Sequence, residues 1–440
     1  MGGVPVVPRN RVRPGDDLPH PRQRPGGTAR GVELSMVPSP PAAVGPHRAD
    51  GCHGVGTARD VRHARRTFRV CNAVGPHDGC VDAGIVPQAW KHANISPIFK
   101  KGSKRNPGNY RPVSLTSICC KILESIIRKR IVDHMTKHNM FTEHQHGFMK
   151  RRSCTTQLLQ VLETWTECLD QGQCIDVVYF DFQKAFDTVC HKRLITKLVH
   201  YGIGGNILSW IKSFLTGRQQ CVTVNGVSSA PIHVTSGVPQ GSVLGLVLFI
   251  IFINDLPNAV QGCLKLFADD TKLFRTVVST PDCEDLQADI NAMEDWSNKW
   301  LLKFHPQKCK VMRIGNQHPN YQYSMLGHNQ GSKTTLDFTE SEKDLGVNVD
   351  NTLSFRDHVK KIVAKANQTT GFIRRTFKYM DKEMFCHLFK ARVHPLLEYA
   401  KTAWHPRYKT DNQAIEPSKK RRQKWFQVLL SCHTKTDSEP

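Results

Sequence analysis

Two short apolar segments that each run into aspartate constrain the fold of this chain more than any other feature of its sequence. The first is VVYFDF at 177–182, where side chains alternate between the two faces of a predicted strand and Asp181 stands near the end. The second is LKLFADDTKLF at 264–274, which predicts a hairpin with Asp269 and Asp270 at its tip. A carboxylate at the end of an apolar strand is costly unless something pairs with it, and a metal ion is one such partner.

If the two segments lie side by side in one sheet, Asp181 and Asp269 converge on a pair of Mg²⁺ ions. Two cations held between carboxylates are the arrangement used for in-line phosphoryl or nucleotidyl transfer. The competing interpretation is that Asp269-Asp270 is an ordinary turn signal without a ligand. The order of the segments, and what lies between them, favours the metal site.

A glycine-rich segment, SGVPQGSVLG at 236–245, lies between the two aspartate-bearing segments. Gly237 and Gly241 flank Pro239-Gln240, so a ligand can approach this backbone closely. The apolar run VLGLVLFIIFIND overlaps its end and predicts a buried helix.

Three segments resemble, in order and spacing, the central motifs of reverse transcriptases: YFDFQKAFDTV (179–189), SGVPQGSVLG (236–245) and FADD (267–270). The match is closest to the class of the non-LTR (LINE-type, jockey-like) retrotransposons. The resemblance covers roughly residues 83–406. Its further motifs are WKHANISPIFKKGSKRNPGNYRPVSLTS (90–117), QHGFMKRRSC (145–154), WLLKFHPQKCKVMRIG (300–315), DLGVNVDNTLSF (344–355) and VHPLLEYAKTAWHP (393–406).

This resemblance implies that Asp181, Asp269 and Asp270 form the catalytic and metal-binding carboxylate set, with two Mg²⁺ ions or Mn²⁺ in their place. Asp181 and Asp269 are expected to be the direct ligands. Asp270 is expected to ligate or to support the tip, since adjacent strand residues point to opposite faces.

The resemblance also implies roles for residues that contact substrates. Phe186 is expected beneath the sugar of the incoming nucleotide, where its ring excludes a 2′-hydroxyl; the alternative is a plain core aromatic. Asp187 is predicted to cap a helix. The expected nucleotide-binding set is Phe186, Gln240, Gly241, Arg111 and Lys308, and the expected template and primer set is Lys100, Lys101, Gly237 and Pro239. The alternatives for Gln240 and for Lys100-Lys101 are a solvent-exposed turn and a solvated charged face.

The expected fold is α/β (α+β), a right-hand polymerase with an antiparallel palm sheet, helical fingers over about 90–175 and a partial helical thumb. Four regions are predicted along the chain. They are a disordered Pro/Arg/Gly-rich leader (1–79), a reverse transcriptase domain of fingers and palm (80–346), a partial thumb-like region (347–406) and a basic, disordered tail (407–440).

Local patterns predict individual elements within these regions. A helix is expected at 121–138, with Ile122, Leu123, Ile126, Ile127 and Ile131 on one buried stripe. Further helices are expected at 155–170, 191–201, 285–302 and after residue 381, and an Asn225-Gly226 hairpin is expected between short strands.

Charge narrows the class of partner. The chain of 440 residues carries 61 Lys plus Arg against 38 Asp plus Glu, a formal net charge of +23, which favours a polyanion such as nucleic acid or an acidic membrane face. The longest apolar run, 243–253, is too short to span a bilayer, so no membrane association is expected. The first 90 residues contain 12 Arg and no Lys, so the leader differs in composition from the rest. An arginine-rich arm can bind RNA, and the alternative is a leader without specific function.

The first residues lack the apolar stretch of a signal peptide, and the 15 cysteines are scattered without a CxxC pair. An intracellular protein with reduced thiols is therefore expected, and nucleus and cytoplasm are not distinguished.

The predicted function is that of an RNA-directed DNA polymerase core of a mobile element, and a truncated one is expected because the family generally carries more sequence upstream. Its expected partners are an RNA template, a DNA primer and deoxynucleoside triphosphates, with the oligomeric state left open. One alternative is an inactive nucleic-acid-binding relic of a retrotransposon. Another is an RNA-dependent RNA polymerase, which Phe186 and FADD argue against. Met149, Arg151, Leu246 and His305 depart from the Arg, Gly, Pro and Asn that the family usually carries.

Overall fold

The computed structural model describes residues 83–326, 333–377 and 379–416. The predicted leader (1–79) and residues 417–440 of the predicted tail lie outside these ranges. Within them, no helix is both long enough and apolar enough to cross a membrane. The cysteines of the same ranges form no disulfide.

Helices and short strands alternate along the described residues. The strands are β1 (His92–Phe99), β2 (Tyr110–Leu115), β3 (Cys174–Phe180), β4 (Arg218–Val224), β5 (Val227–Ser228), β6 (Ile232–Val234), β7 (Cys263–Phe267), β8 (Asp270–Val277), β9 (Lys310–Ile314), β10 (Ser324–Leu326), β11 (Lys333–Thr335), β12 (Asp337–Phe338), β13 (Ser341–Asp344) and β14 (Val347–Asp350). The helices are α1 (Ile118–Lys137), α2 (Cys154–Asp170), α3 (His191–His200), α4 (Gly205–Leu215), α5 (Gly245–Ile253), α6 (Thr280–Trp300), α7 (Arg356–Thr376), α8 (Lys382–Arg392) and α9 (His394–Glu398). The predicted mixed α/β class is confirmed.

The central sheet has five strands in the order β12-β9-β3-β8-β7. β3 pairs antiparallel with both β8 and β9, and β7 pairs antiparallel with β8. Only the short β12 departs from the predicted antiparallel sheet, because it pairs parallel with β9. β3 is almost entirely buried, which suits its β-branched and aromatic side chains.

The predicted alternation along β3 is confirmed by the two hydrophobic cores that the sheet separates. Val178 and Phe180 pack in the core that contains α1, α3, α5 and α6. Val177 faces the other core, which is formed with α2, β14 and α7. A third cluster joins α7, α8 and α9. The apolar helix α5 is buried behind the central sheet, as its composition predicts.

A second sheet is built from β2, β1, β4, β5 and β6, with β1 parallel to β4 and antiparallel to β2. The fingers predicted over about 90–175 are therefore not wholly helical, since β1 and β2 precede α1 and α2. A motif resemblance locates a region without specifying the secondary structure of each part.

The predicted stripe on α1 is wrong at two positions. Leu123, Ile127 and Ile131 are buried, but the side chains of Ile122 and Ile126 are 45% and 43% exposed. The buried face continues instead through cysteine, glutamate and methionine side chains, so the buried arc is displaced from the aliphatic stripe. Helical periodicity predicts that one face of the helix is buried, whereas the elements that pack against the helix decide which residues that face includes.

Part of the predicted disordered tail is ordered. Residues 409–416 are helical, and the side chain of Ile415 is buried in the core that contains α2 and α7. The basic composition of the tail did not indicate that the Ile415 side chain would anchor this helix by burial.

Candidate active site

The central sheet brings the two aspartate-bearing segments together, as the sequence predicts. Phe180 pairs with Thr271 across β3 and β8, so Asp181 leaves β3 beside Asp270, the first residue of β8. Phe267 pairs with Asp270, which makes Ala268-Asp269 the two-residue turn. The turn predicted at Asp269-Asp270 is therefore displaced by one residue, because Asp270 already belongs to the strand.

Asp181 and Asp270 line one pocket of about 200 Å³. Tyr179 and Lys272 of the central sheet also line it. Residues 342–345, which include the end of β13, line it from outside the central sheet. Asp269, in the turn, is not among the residues that line this pocket. The pocket thus joins a different pair of carboxylates from the pair predicted to be the direct ligands.

The three carboxylates affect one another electrostatically. Burial raises the pKa of Asp269, and the charge of Asp181 raises it further, while Arg111 and Lys100 oppose the shift. Burial, followed by the charges of Asp269, Asp344 and Asp181, raises the pKa of Asp270 to about 6. The site therefore concentrates negative charge that a bound cation would relieve.

Lys308 supplies one positive charge at this edge. Its Nζ lies 3.3 Å from Oδ2 of Asp181, and both side chains are about half exposed. A solvent-exposed pair of this kind is weak, so Lys308 can leave Asp181 at little cost.

Oxygen ligands of this kind suit Mg²⁺ or Mn²⁺. Among residues 83–326, 333–377 and 379–416, however, no group of three or more His, Cys, Asp or Glu side chains is gathered closely enough to hold a metal as it stands. The donor chemistry and the mutual repulsion of the carboxylates fit a divalent cation, while the side-chain arrangement is not a closed metal cage.

Asp270→Asn should stabilise the metal-free protein at pH 7 but not at pH 4. The folded chain holds the Asp270 proton with a pKa of about 6 against an ordinary value of 3.8, so this carboxyl lowers stability as pH rises between those values. The carboxyl is partly desolvated by its surroundings, but the side chain still has solvent access that screens its charge, so we expect a gain below about 1 kcal/mol. Urea unfolding of both proteins at the two pH values measures it, and an equal gain at both values would contradict this origin.

The glycine-rich loop lies between two other backbone segments, and its glycines are required for steric reasons. Gly237 has φ +88°, and a Cβ there would lie 2.6 Å from the Asp187 carbonyl oxygen. Gly241 has φ +110°, and a Cβ there would lie 2.5 Å from the Ser114 carbonyl oxygen. The Ser114 amide also donates to the Gln240 carbonyl at 2.6 Å. The loop is thereby fixed between β2 and the segment that follows β3.

Asp187 does not cap a helix, because α3 begins at His191 with Cys190 as its N-cap residue. Its carboxylate instead accepts a hydrogen bond from Nε2 of Gln240 at 3.3 Å. Burial raises the pKa of Asp187, opposed by Lys184, the Gln240 hydrogen bond and Lys100. The sequence between β3 and α3 is compatible both with a helix cap and with a contact elsewhere. It could not indicate the actual partner, because Gln240 is 53 residues away along the chain.

Phe186 has one face on α5 and is partly exposed. Its ring stacks on Phe249 with the centroids 4.4 Å apart. Its carbonyl accepts a hydrogen bond from the Val238 amide at 2.7 Å, so the glycine-rich loop fixes its backbone. The predicted sugar contact and the alternative of a core aromatic are both compatible with this half-buried position.

The basic residues predicted to contact substrate come from the end of β1 and the start of β2. Arg111 and Lys100 both act on the pKa of Asp269, and Lys100 also acts on that of Asp187. The charge of Lys100 thus acts on a carboxyl of the turn and on the carboxyl that contacts Gln240. Lys101 is exposed, and no ion pair joins it to another residue of the described ranges. Pro239, with Gly237 and Gln240, lines a second cavity of about 320 Å³.

Sequence reasoning missed three side chains that hold the carboxylate edge in place. Lys272 forms a buried ion pair with Asp344, and Gln145 accepts a hydrogen bond from the Ala268 amide of the turn. The QHGF segment at 145–148 indicated a motif but not which of its side chains has a role.

Arg151, where the resemblance leads us to expect glycine, has φ +62°, a conformation that favours glycine.

Comparison with known proteins gives a consistent result. The family model described as "Reverse transcriptase (RNA-dependent DNA polymerase)" matches residues 98–333, more than half of the chain. The chain is 31% identical over 308 residues to the probable RNA-directed DNA polymerase from transposon BS of Drosophila melanogaster. It is 30% identical over 289 residues to the RNA-directed DNA polymerase from mobile element jockey of Drosophila funebris.

These alignments cover 66% and 63% of the chain but 32% and 31% of the two relatives, so the chain spans about a third of the length of the curated relatives it matches. Solved structures of telomerase from Candida tropicalis and Candida albicans match at 12% identity and a TM-score of 0.40. They cover 60% and 73% of this chain, and 54% and 57% of theirs. A TM-score below 0.5 carries no argument about fold.

Proposed function

We propose, from the premise that this chain belongs to the reverse transcriptase family, that it is the RNA-directed DNA polymerase core of a non-LTR mobile element. The family has the right-hand polymerase fold, in which the central sheet is the palm. The observation that carries the proposal is the gathering of Asp181, Asp269 and Asp270 where β3 ends and the β7–β8 hairpin turns. The charges of Arg111 and Lys100 act on this group of carboxylates.

In this proposal the three carboxylates hold divalent cations. When bound, these ions supply Lewis-acid activation of the primer 3′-hydroxyl and neutralise charge that develops on the phosphates. Arg111 and Lys100 lie where a triphosphate near Asp269 would find cationic donors. Lys308, paired only weakly with Asp181, is free to turn to the departing pyrophosphate.

The glycine-rich loop orients the substrate. Gly237 and Gly241 allow the backbone to pass within contact distance of its neighbours, so Gln240 is presented from a rigid support. Phe186, fixed by the stack on Phe249, offers its exposed edge to the nucleotide sugar. The net charge of +23 suits a chain that holds a template and a primer.

Primer extension by the purified chain tests this function. The assay contains primed RNA, deoxynucleoside triphosphates and Mg²⁺, and the expected result is elongated DNA. Failure to extend, combined with nucleic-acid binding that weakens steeply with salt, would leave the inactive nucleic-acid-binding relic as the explanation. Ribonucleotide incorporation as fast as deoxynucleotide incorporation would instead indicate an RNA polymerase.

Phe186→Val should raise the incorporation of ribonucleotides relative to deoxynucleotides by about 10- to 100-fold. The smaller side chain leaves room for a 2′-hydroxyl, while the Val238 hydrogen bond to the backbone of residue 186 is retained. The ratio of kcat/KM for the two nucleotide classes measures the effect. Phe186→Tyr keeps the ring and is the matched control, which should discriminate as the unchanged chain does. A core role alone predicts lower stability with an unchanged ratio.

A further inference from the structure

The turn that carries Asp269 is held in a conformation that its sequence does not favour. Ala268 has φ +55°, in the left-handed region that L-residues avoid and glycine adopts readily. A two-residue hairpin turn with positive φ at its first position usually has glycine there. Contacts from outside the hairpin must therefore keep Ala268, and with it Asp269, in place.

Those contacts come from residues 144–147, which lie along β7. The His146 amide donates to the Leu266 carbonyl at 2.8 Å, and the Leu266 amide donates to the His144 carbonyl at 3.0 Å. Gly147 lies so close to the turn that a Cβ there would be 2.4 Å from the Ala268 nitrogen. The segment thus pairs with the outer strand β7 of the palm sheet, next to the turn that carries Asp269.

The side chain of Gln145 makes the direct contact with the turn. Its Oε1 accepts hydrogen bonds from the Ala268 amide at 3.0 Å and from the Gly147 amide at 2.7 Å. The residue is only 1% exposed. Arg152 donates to the Gln145 carbonyl at 2.6 Å, which fixes the backbone from which the side chain extends.

The other end of the same amide indicates why glutamine is present. Nε2 of Gln145 is buried, and no described residue accepts a hydrogen bond from it. Burying an unpaired donor is unfavourable, and an apolar side chain of similar shape would avoid that cost. The contribution of glutamine at this position is therefore its carbonyl oxygen, which is directed at the turn.

We propose that Gln145 is a positioning residue that acts through the Ala268 amide to hold the Asp269 turn in the geometry required to bind divalent cations. This inference rests on the proposed function in assigning cations to the carboxylates. It adds a residue 123 positions away from Ala268, whose role is exerted through a hydrogen bond to the backbone of the turn.

The test compares Mn²⁺ binding, counted by electron paramagnetic resonance on the full chain, with primer extension. Gln145→Met keeps the side-chain length and removes the acceptor. Loss of a residue that orients metal ligands typically weakens metal affinity about 10- to 100-fold, so we expect at least about a tenfold loss here. The kcat for extension should fall by a similar factor, while the KM for the nucleotide stays within about twofold.

Asn254→Leu is the matched control. Oδ1 of Asn254 accepts a hydrogen bond from the Thr142 amide at 2.9 Å, and its Nδ2 donates to the Met140 carbonyl at 2.7 Å. Asn254 therefore supports the chain just before residues 144–147, away from the turn. It should reduce the melting temperature as Gln145→Met does while leaving Mn²⁺ affinity unchanged. Gln145→Asn, which retracts the acceptor from the turn, gives the same comparison if the methionine variant does not fold.

Unchanged Mn²⁺ affinity in the folded Gln145 variants would overturn the proposal, as would an equal loss in Asn254→Leu. Mn²⁺ binding by the unchanged chain without primer extension would defeat the polymerase assignment alone, and the affinity comparison would still decide the role of Gln145. Absence of Mn²⁺ binding to the unchanged chain would overturn both.

Discussion

Asp269→Asn should leave the protein folded and reduce kcat for primer extension by about three orders of magnitude or more, equivalent to at least ~4 kcal/mol of transition-state stabilisation. Asparagine keeps the size of the side chain but removes a charge that the proposed cations require. Burial and Asp181 already raise the pKa of Asp269, so losing its charge removes repulsion and should not lower stability. Extension rates and thermal unfolding of the same preparation measure the two effects.

Asp133→Asn is the control for the Asp269 substitution. Asp133 lies on the exposed face of α1, where its side chain is 62% exposed and pairs with Lys129. The same chemical change there should alter neither extension nor melting temperature appreciably. Extension by Asp269→Asn at the rate of the unchanged chain would remove Asp269 from the catalytic set.

Lys272→Met should destabilise the protein by about 3–5 kcal/mol, the usual cost of leaving one member of a buried ion pair without its partner. Lys272 on β8 pairs with Asp344 at the end of β13, and the two side chains are only 4% and 6% exposed. The charge of Lys272 also lowers the pKa of Asp270, so its loss should raise that pKa further. Urea unfolding at pH 7 measures the stability change.

Removing the partner as well should recover most of the loss, because Lys272→Met with Asp344→Leu leaves no buried charge unpaired. Lys129→Met provides the exposed comparison, since its pair with Asp133 is largely in solvent and contributes less than about 1 kcal/mol. A double variant as unstable as the single one would show that Lys272 acts through packing and not through its charge.

Local sequence was sufficient to predict the elements that carry the site. Alternation of side chains placed Asp181 at the end of β3, and the apolar residues on both sides of FADD predicted the hairpin of β7 and β8. The one-residue displacement of the turn arises because Ala268, without any turn propensity of its own, occupies a left-handed position. Its conformation is set by residues 144–147, which no local pattern connects with it.

The missed contacts share one physical cause. Gln145 and Ala268 are 123 positions apart, Lys272 and Asp344 are 72 apart, and Asp187 and Gln240 are 53 apart. Each side chain is ordinary in its local window and acquires its role only when the sheet forms. Exposure of Ile122 on α1 has the same origin, because burial depends on what packs against a helix as much as on its periodicity.

The position of β3 in the palm sheet also has a consequence for biosynthesis. β3 lies between β8 and β9, strands that begin about 90 and 130 residues beyond its own end. At typical elongation rates of ~5–20 residues per second, its last partner leaves the ribosome roughly ten seconds after β3 itself. Both edges of this buried strand are unpaired until β8 emerges, and one edge stays unpaired until β9 follows, which favours aggregation of the nascent chain. Recovery of soluble protein should therefore depend on chaperones that shield this strand until β9 emerges.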